Sequence, residues 1–509
     1  MNTLNQAMLL EGAAIEVPEK IFIQEGTQEL TYQQINIQAQ CFANVLVELG
    51  VKKGDKVACL LPNVAFFSAF YYGVLKVGAV VVPLNVNTRA KELTSFLDDS
   101  GAVVLVVWES VIKEALSGFA EASGCHHLLM ANYPESDLCP QPAKSVKQLM
   151  SKADNYFDTS LTKPEDSAII LYTSGTTGRP KGVVLTHYNC FFFSQSFTRE
   201  LCELNCDDVM LMIPPISHMF GQILINMACF AQAKLIMVPK FETELFLKTV
   251  EKEQVTFSAG VPTMGSKLVN SSLVSQYDVS SLKSFMFGGA TLHPELANKF
   301  ASDFQVQLSI AYGLTETLPV TFSYYNQTTP AGTVGKATVG TQIRIVNPEN
   351  YQDVMIGEEG EVWVRGPHLF KEYYQQPEAT TKTFYDGWFR TGDLGKLDNN
   401  GYLFILDRLK DVIKTSGYLV VPNEVERVLY DHPDVAEVAV VGVPHQTLGE
   451  IIKAFVALKP NRSVKAKELI THCKNNLASY KCPLSIIMKD ELPKSASGKI
   501  LRRALRNNS

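Results

Sequence analysis

The chain has no excess of positive charge: 46 lysines and arginines face 52 aspartates and glutamates, a formal charge of −6. That removes the basic footprint of a nucleic-acid-binding protein, so any polyanion has to be held locally. Ten cysteines are scattered without a CxxC pair, and Cys202 and Cys206 have no histidine partners at zinc spacing. Neither a disulfide framework nor a zinc site is expected; the thiols read as reduced, mostly buried residues of a cytoplasmic protein. No run of about 18 apolar residues is present, so no segment is expected to span a bilayer. The first twenty residues carry Glu11, Glu16 and Glu19 and no signal-peptide core, and Arg506-Asn507-Asn508-Ser509 is neither a prenylation box nor a peroxisomal tripeptide. Internal repeats and low-complexity tracts are also missing. What remains is 509 residues, 46% hydrophobic and 19% charged, enough for large cores and about three domains.

The hydrophobic pattern predicts alternating strands and helices. Ile35, Ala39, Phe42, Leu46 and Leu49 mark one helical face, closed by Gly50. Strands are expected at 56–61, 79–84 and 102–107, with helices at 65–76 and 89–99 between them, the signature of a parallel sheet with crossover helices. Residues 130–165 read as a polar connection. A second α/β block follows, with strands at 209–213, 234–238, 255–258, 284–287 and 305–311 and helices near 219–231, 243–253 and 293–302. Past residue 333 short β runs at 342–346, 360–364 and 402–406 are separated by turn residues. From Lys410 the mix is α+β. The expected fold is therefore α/β: a large N-terminal domain, 1–409, of two doubly wound sub-structures (about 1–165 and 166–332) and a small β sub-structure (333–409). A small, mobile α+β C-terminal domain, 410–509, follows.

One stretch organises the reading. The apolar run Ala168–Tyr172 feeds Thr173, Ser174, Gly175, Thr176, Thr177 and Gly178, then Arg179-Pro180-Lys181-Gly182 and a second apolar run. Glycines let backbone N–H groups turn toward an anion, hydroxyls add donors, and Lys181 adds a mobile point charge. This is chemistry for a polyphosphate, yet not the common P-loop, because Gly182 stands where that motif needs a hydroxyl for the metal. Elsewhere Glu316 ends Tyr312-Gly313-Leu314-Thr315-Glu316. It is either a helix-start carboxylate or, beside phosphates, a ligand for Mg²⁺. Gly288-Gly289-Ala290 is either a tight strand-to-helix turn or backbone left bare for a flat ligand. Asp393 and, fifteen residues on, Arg408 are either a surface salt bridge or a pair suited to a ribose. His218 is either a buried, hydrogen-bonded histidine or a pocket residue. Lys499, in a Ser/Gly loop, is by itself an ordinary solvated lysine.

YTSGTTGRPKGV closely resembles the phosphate loop of the adenylate-forming superfamily, which includes acyl-CoA synthetases, peptide-synthetase adenylation domains and beetle luciferases. YGLTE, RTGDL, DRLKDVIKTSG and PKSASGKILR resemble its further motifs in the same order, and the resemblance runs from TYQQ at 31–34 to GKILRR at 498–503. It implies that ATP, Mg²⁺ and CoA are used. Tyr312 would stack on adenine, Thr315 would contact the α-phosphate, Gly313 belongs to the same nucleotide motif, and Glu316 would bind the metal with Thr173 a weaker candidate. Gly288, Gly289 and Ala290 would lie against adenine and the acyl chain. Asp393 would hold the ribose, Arg408 the ribose or a phosphate, and Lys414 a phosphate or the acyl carboxylate. Lys410 would be the hinge, and Lys499 would stabilise charge as the acid attacks the α-phosphate. His218 would stand where acyl pocket meets thiol tunnel, a tunnel formed by Ser416, Gly417 and Tyr418.

Within the superfamily, DRLK, Gly357–Pro367 and YLVVPNEVE look like medium- or long-chain fatty-acid–CoA ligases. Leu419 stands where hydroxycinnamoyl ligases often carry Gln, which speaks against that branch. No insertion follows the second nucleotide motif, which favours CoA over an acyl carrier protein. The rival readings are a carrier-protein ligase, an aryl-CoA ligase, a luciferase-like oxidoreductase and a non-catalytic binder. A monomer and a homodimer are both open.

Overall fold

The computed structural model describes residues 3–133, 136, 139–173, 180–325, 329–415, 418–445, 447–495 and 498–506. The fold is mixed α/β, with two compact units. One comprises Met1–Ala259, Gly313–Leu318 and Gly366–Lys382; the other comprises Gly260–Tyr312, Pro319–Arg365 and Thr383–Ser509.

In the first unit one sheet runs, edge to edge, through Glu372–Tyr373, Lys181–Thr186, Ser167–Thr173, Val80–Pro83, Lys56–Leu60, Ala102–Trp108, His127–Ala131 and Lys144–Ser145. Its centre is parallel. The strand Lys181–Thr186 turns back antiparallel on Ser167–Thr173. A second run of strands places Val209–Met212 between Phe257–Gly260 and Lys234–Met237, and Ile21–Glu25 beside the latter. The sheets therefore do not divide at residue 165. Residues 21–31 complete the later sheet and 167–186 complete the earlier one, because each supplies the edge partner that an unpaired row of backbone groups needs. The stretch expected to be a plain connection contributes the strand Lys144–Ser145 and the helix Val146–Met150.

Local chemistry explains the helices. Thr31 caps Tyr32–Glu48 in a reciprocal capping box with Gln34. Ile35, Ala39, Phe42 and Leu46 of the predicted face are fully buried, each large side chain contributing about 1.5–3 kcal/mol, while Leu49, its last member, caps the helix end and is half-buried. They meet the helix Phe66–Val77, which is apolar all round and buried all round. Its Lys76, with no exposed surface, is neutralised by Glu11. The strand expected at 255–258 begins at Phe257, because Gln254 takes a left-handed conformation (φ 53°) and Val255 N–H still closes the preceding helix on Val250. Gln305 (φ 52°) delays the strand Gln307–Leu314 in the same way.

In the second unit, Ser284–Gly288 and Gln307–Leu314 pair in parallel. An antiparallel sheet holds Gln342–Val346, Gly360–Arg365, Trp388–Leu397 and Leu403–Arg408. The ten-residue strand Trp388–Leu397 carries the RTGDL motif and is longer than the short runs expected there, since its polar residues pair on both edges. The small α+β C-terminal domain has strands Val435–His445 and Gly449–Leu458 at its centre and the helix Pro422–Tyr430 packed on them through Val425 and Leu429.

Candidate active site

The sequence-predicted residues fall into two groups, one in each unit. In the first, Thr173 and Lys181 are register partners at the base of the loop. Ser174, Gly175, Thr176, Thr177 and Gly178 lie outside the described residues, as do Ser416 and Gly417. Lys181 Nζ stands 4.5 Å over the ring of Tyr373. The hydroxyl of Tyr373 donates to Glu316 Oε1 at 2.8 Å. Tyr373 thus links the phosphate-loop lysine to the candidate metal carboxylate. Sequence reasoning missed it; the only signal is the tyrosine pair in Glu372-Tyr373-Tyr374, which looks like ordinary core.

Glu316 is not at a helix start. It sits in the turn between the strands Gln307–Leu314 and Leu318–Tyr325, beside Thr315. Thr317 fixes that turn: its Oγ1 accepts Leu314 N–H at 2.9 Å, and Phe370 N–H donates to the Glu316 carbonyl at 2.8 Å. Leu318 holds φ at 51° while almost wholly buried, a backbone strain of about 1–3 kcal/mol located at the site. His218 is exposed rather than buried. It caps the helix Met219–Ala231, its Nδ1 accepting Phe220 N–H at 3.3 Å. Asn63 shapes the approach to it by bonding both Pro214 O and Ile216 N–H.

In the second unit the fifteen-residue spacing becomes a cross-strand pair, Asp393 opposite Arg408. Arg408 Nε lies 2.6 Å from Asp393 Oδ1, and Tyr312 Oη donates to Asp393 Oδ2 at 2.6 Å. Asp393 is 3% exposed. Burial pushes its carboxyl up, and the guanidinium of Arg408 pulls it back. A carboxylate has about four acceptor positions, so room for a diol remains. Gly288 ends its strand and Gly289 takes φ 77°, the turn that leaves the backbone bare before Ala290.

Lys499 lies within electrostatic range of this pair. Desolvation holds its ammonium below the usual lysine range, Arg408 lowers it further and Asp393 raises it, although the side chain keeps accessible surface. The loop before it is tight: Ser495 N–H donates to Lys499 O at 2.7 Å, and Thr263 Oγ1 donates to Gly498 O at 2.8 Å. Gly498 has φ 84°, and a Cβ there would meet Thr263 and Val261 at 3.0 Å. Lys410 lies in the short turn Leu409–Asp411, its ammonium lowered by burial. Lys414 is exposed on the strand Ile413–Thr415, and Tyr418 is exposed and stacked on Tyr480 at 4.3 Å. Neither is drawn into the Asp393 cluster by a described contact.

Among the described residues no group of three or more His, Cys, Asp or Glu side chains could cage a metal alone. Glu316, with the hydroxyl of Thr315 next to it in sequence, is a hard oxygen donor set of low charge. That suits Mg²⁺, which usually takes one or two carboxylates and completes its shell with water and phosphate. Among the described residues, no helix is long and apolar enough to cross a membrane.

The family model of the AMP-binding enzyme matches residues 10–374, and that of the AMP-binding enzyme C-terminal domain matches 424–499. A long-chain-fatty-acid–CoA ligase of Bacillus subtilis is 34% identical, the match covering 99% of this chain and 94% of that protein. ATP-bound MatB from Rhodopseudomonas palustris is similar in structure with a TM-score of 0.90 at 30% identity, covering 100% and 99% of the two chains. An anthranilate CoA ligase in complex with anthranoyl-AMP gives 0.93 at 26% identity, covering 100% and 98%.

Proposed function

The chain belongs to the AMP-binding enzyme family, and on that premise we propose that it is an AMP-forming acid–thiol ligase that converts an apolar carboxylic acid, a fatty acid, to its CoA thioester. The observation that carries this reading is the buried Asp393–Arg408–Tyr312 cluster together with the tight loop, tied by Ser495 and Thr263, that presents Lys499. A binder needs the ribose and phosphate contacts; only a catalyst needs, in addition, a lysine held on a fixed loop.

In the first step a carboxylate oxygen attacks the α-phosphorus of ATP. The new P–O bond forms, the α–β bond breaks and pyrophosphate leaves. Asp393 holds the ribose and Tyr312 lies along the adenine. Lys181, the 173–178 hydroxyls and Thr315 hold phosphate oxygens, and Lys499 stabilises the charge gathering at the reacting centre. Glu316, oriented by Tyr373, would hold Mg²⁺ with Thr173; when bound, the ion neutralises phosphate charge. In the second step the CoA sulfur attacks the acyl carbonyl, its proton leaves, the C–S bond forms and AMP departs. The domain beyond Lys410, residues 410–509, turns between the steps, withdrawing Lys499 and bringing 416–418 to the thiol. His218 borders the acyl group.

The acid is argued from the walls. A small cleft within the first unit is lined mostly by apolar side chains, Ile169, Leu185, Phe193, Met219, Ile223 and Leu318 among them, with Ser194, Gln222 and Asn226 its polar members; Met219 is next to His218 and Leu318 two residues past Glu316. Cytoplasmic residence and CoA as acceptor complete the reading. The test is incubation with ATP, Mg²⁺, CoA and a panel of short, medium, long and aryl acids, with products read by mass spectrometry. Acyl-CoA from the aliphatic acids is expected. Acyl-AMP accumulating without acyl-CoA would instead assign a carrier-protein thiol as acceptor.

A further inference from the structure

We propose that Arg502 is the positioning residue that sets Lys499 for the first half-reaction, by tying the catalytic loop across the hinge. The proposal rests on the hinge reading above. Arg502 opens the C-terminal helix Arg502–Arg506, three residues after Lys499. Its guanidinium makes four bonds in three directions. Nη1 donates to Asp407 Oδ1 at 2.6 Å, Nη2 to Asn423 Oδ1 at 2.8 Å and to Glu426 Oε2 at 2.7 Å, and Nε to Glu426 Oε1 at 3.1 Å. The two carboxylates are nearly enclosed, Asp407 at 4% and Glu426 at 5% exposure.

The partners lie on opposite sides of Lys410. Asn423 and Glu426 belong to the helix Pro422–Tyr430, after the hinge. Asp407 belongs to the strand Leu403–Arg408, before it, and its neighbour Arg408 is the partner of Asp393. Asp407 Oδ1 also accepts Arg408 N–H at 2.8 Å. A planar fork with fixed donors can satisfy a bidentate carboxylate and a second carboxylate at once; an ammonium cannot. The other end of the loop is fixed beyond the hinge, where Lys494 pairs with Glu437 at 2.7 Å and Glu491 at 2.6 Å. Among the described residues, the Arg502–Asp407 bond is the one that ties the loop to the strand that carries the ribose-binding arginine. It is made in the orientation that couples Lys499 to Asp393, and a turn about Lys410 would have to break it.

The test measures the half-reactions separately in full-length Asp407→Asn and Arg502→Lys. Acyl-AMP formation is followed by pyrophosphate release without CoA, and thioester formation by giving the enzyme preformed acyl-AMP and CoA. The first should fall about ten- to a hundred-fold, and the second should stay within about two-fold, with the KM for ATP little changed, as expected when a contact specific to one step is lost. Asp407→Asn keeps the side-chain shape and one acceptor oxygen while removing the charge that Arg502 meets, so it remains informative if Arg502→Lys does not fold. Parallel loss in both half-reactions, loss confined to the second, or no loss at all would overturn the proposal. Lys499→Ala is run alongside: if that variant still forms acyl-AMP at full rate, it is the functional reading of Lys499 that fails.

Discussion

The two groups of candidate residues are built on opposite plans. In the first unit Lys181, Glu316 and Tyr373 meet through one hydroxyl and one ring face, at the rim of a sheet and in a turn held by Thr317. In the second, Asp393, Arg408 and Tyr312 form a dense, hydrogen-bonded cluster around a buried carboxylate, with Lys499 within reach of its charges. The difference follows from what each is proposed to hold. Phosphates bring their own charge and metal, so that region needs donors and a mobile lysine more than rigidity. A neutral ribose and a transient charge bring nothing, so that region must carry its own fixed electrostatics.

If that contrast is right, the second unit should be the more fragile in catalysis. Lys499→Ala should slow acyl-AMP formation on the order of a hundred- to a thousand-fold, the worth of a charge aimed at the transition state, while ATP still binds by calorimetry. Asp393→Asn should come next. It should raise the KM for ATP about 10- to 100-fold, matching the 1.5–3 kcal/mol of lost charge-assisted hydrogen bonds, in steady-state kinetics. Tyr373→Phe should be milder, slowing acyl-AMP formation about three- to ten-fold and weakening the Mg²⁺ dependence, because one hydroxyl contact is removed and Glu316 stays.

Two pH effects sharpen the same comparison. Lys499 must be charged to act, and its ammonium is held below the free-lysine value, so acyl-AMP formation should decline on the alkaline side at a pH below 10.5. Lys499→Arg should lose that limb wherever it retains activity. Acid should act more on the first unit. His187 and His368 are buried there and His293 is half-buried in the second, each pushed down to about 4 by desolvation. Neither ring nitrogen of His368 has a partner among the described residues. A lowered pKa means the unfolded chain binds more protons, so stability should be lost as pH falls from 6.5 toward 4, by up to about 3 kcal/mol per histidine. Thermal melts of His368→Asn across that window should show a shallower fall.

How much of this could be read beforehand depended on range. The helices 219–231 and 243–253 were legible to the residue because apolar period and end signals agree locally. The Asp393–Arg408 partnership was half visible, since the spacing suggested a pair and the antiparallel register made it one. Tyr373 was invisible: its partner lies 57 residues away, and nothing in its own stretch distinguishes it from core. The exchange of edge strands between the two sheets was equally hidden, because pairing of 21–25 with 234–237 is fixed by packing and not by local pattern.

The central claim is that Lys499 acts on the reacting α-phosphate through the cluster of Asp393 and Arg408. Its most direct test is acid-dependent exchange of labelled pyrophosphate into ATP, comparing the parent enzyme with Lys499→Ala at saturating ATP. The account predicts exchange that requires the acid and is lost in the variant while ATP affinity is kept. Exchange at the parent rate in Lys499→Ala would contradict it.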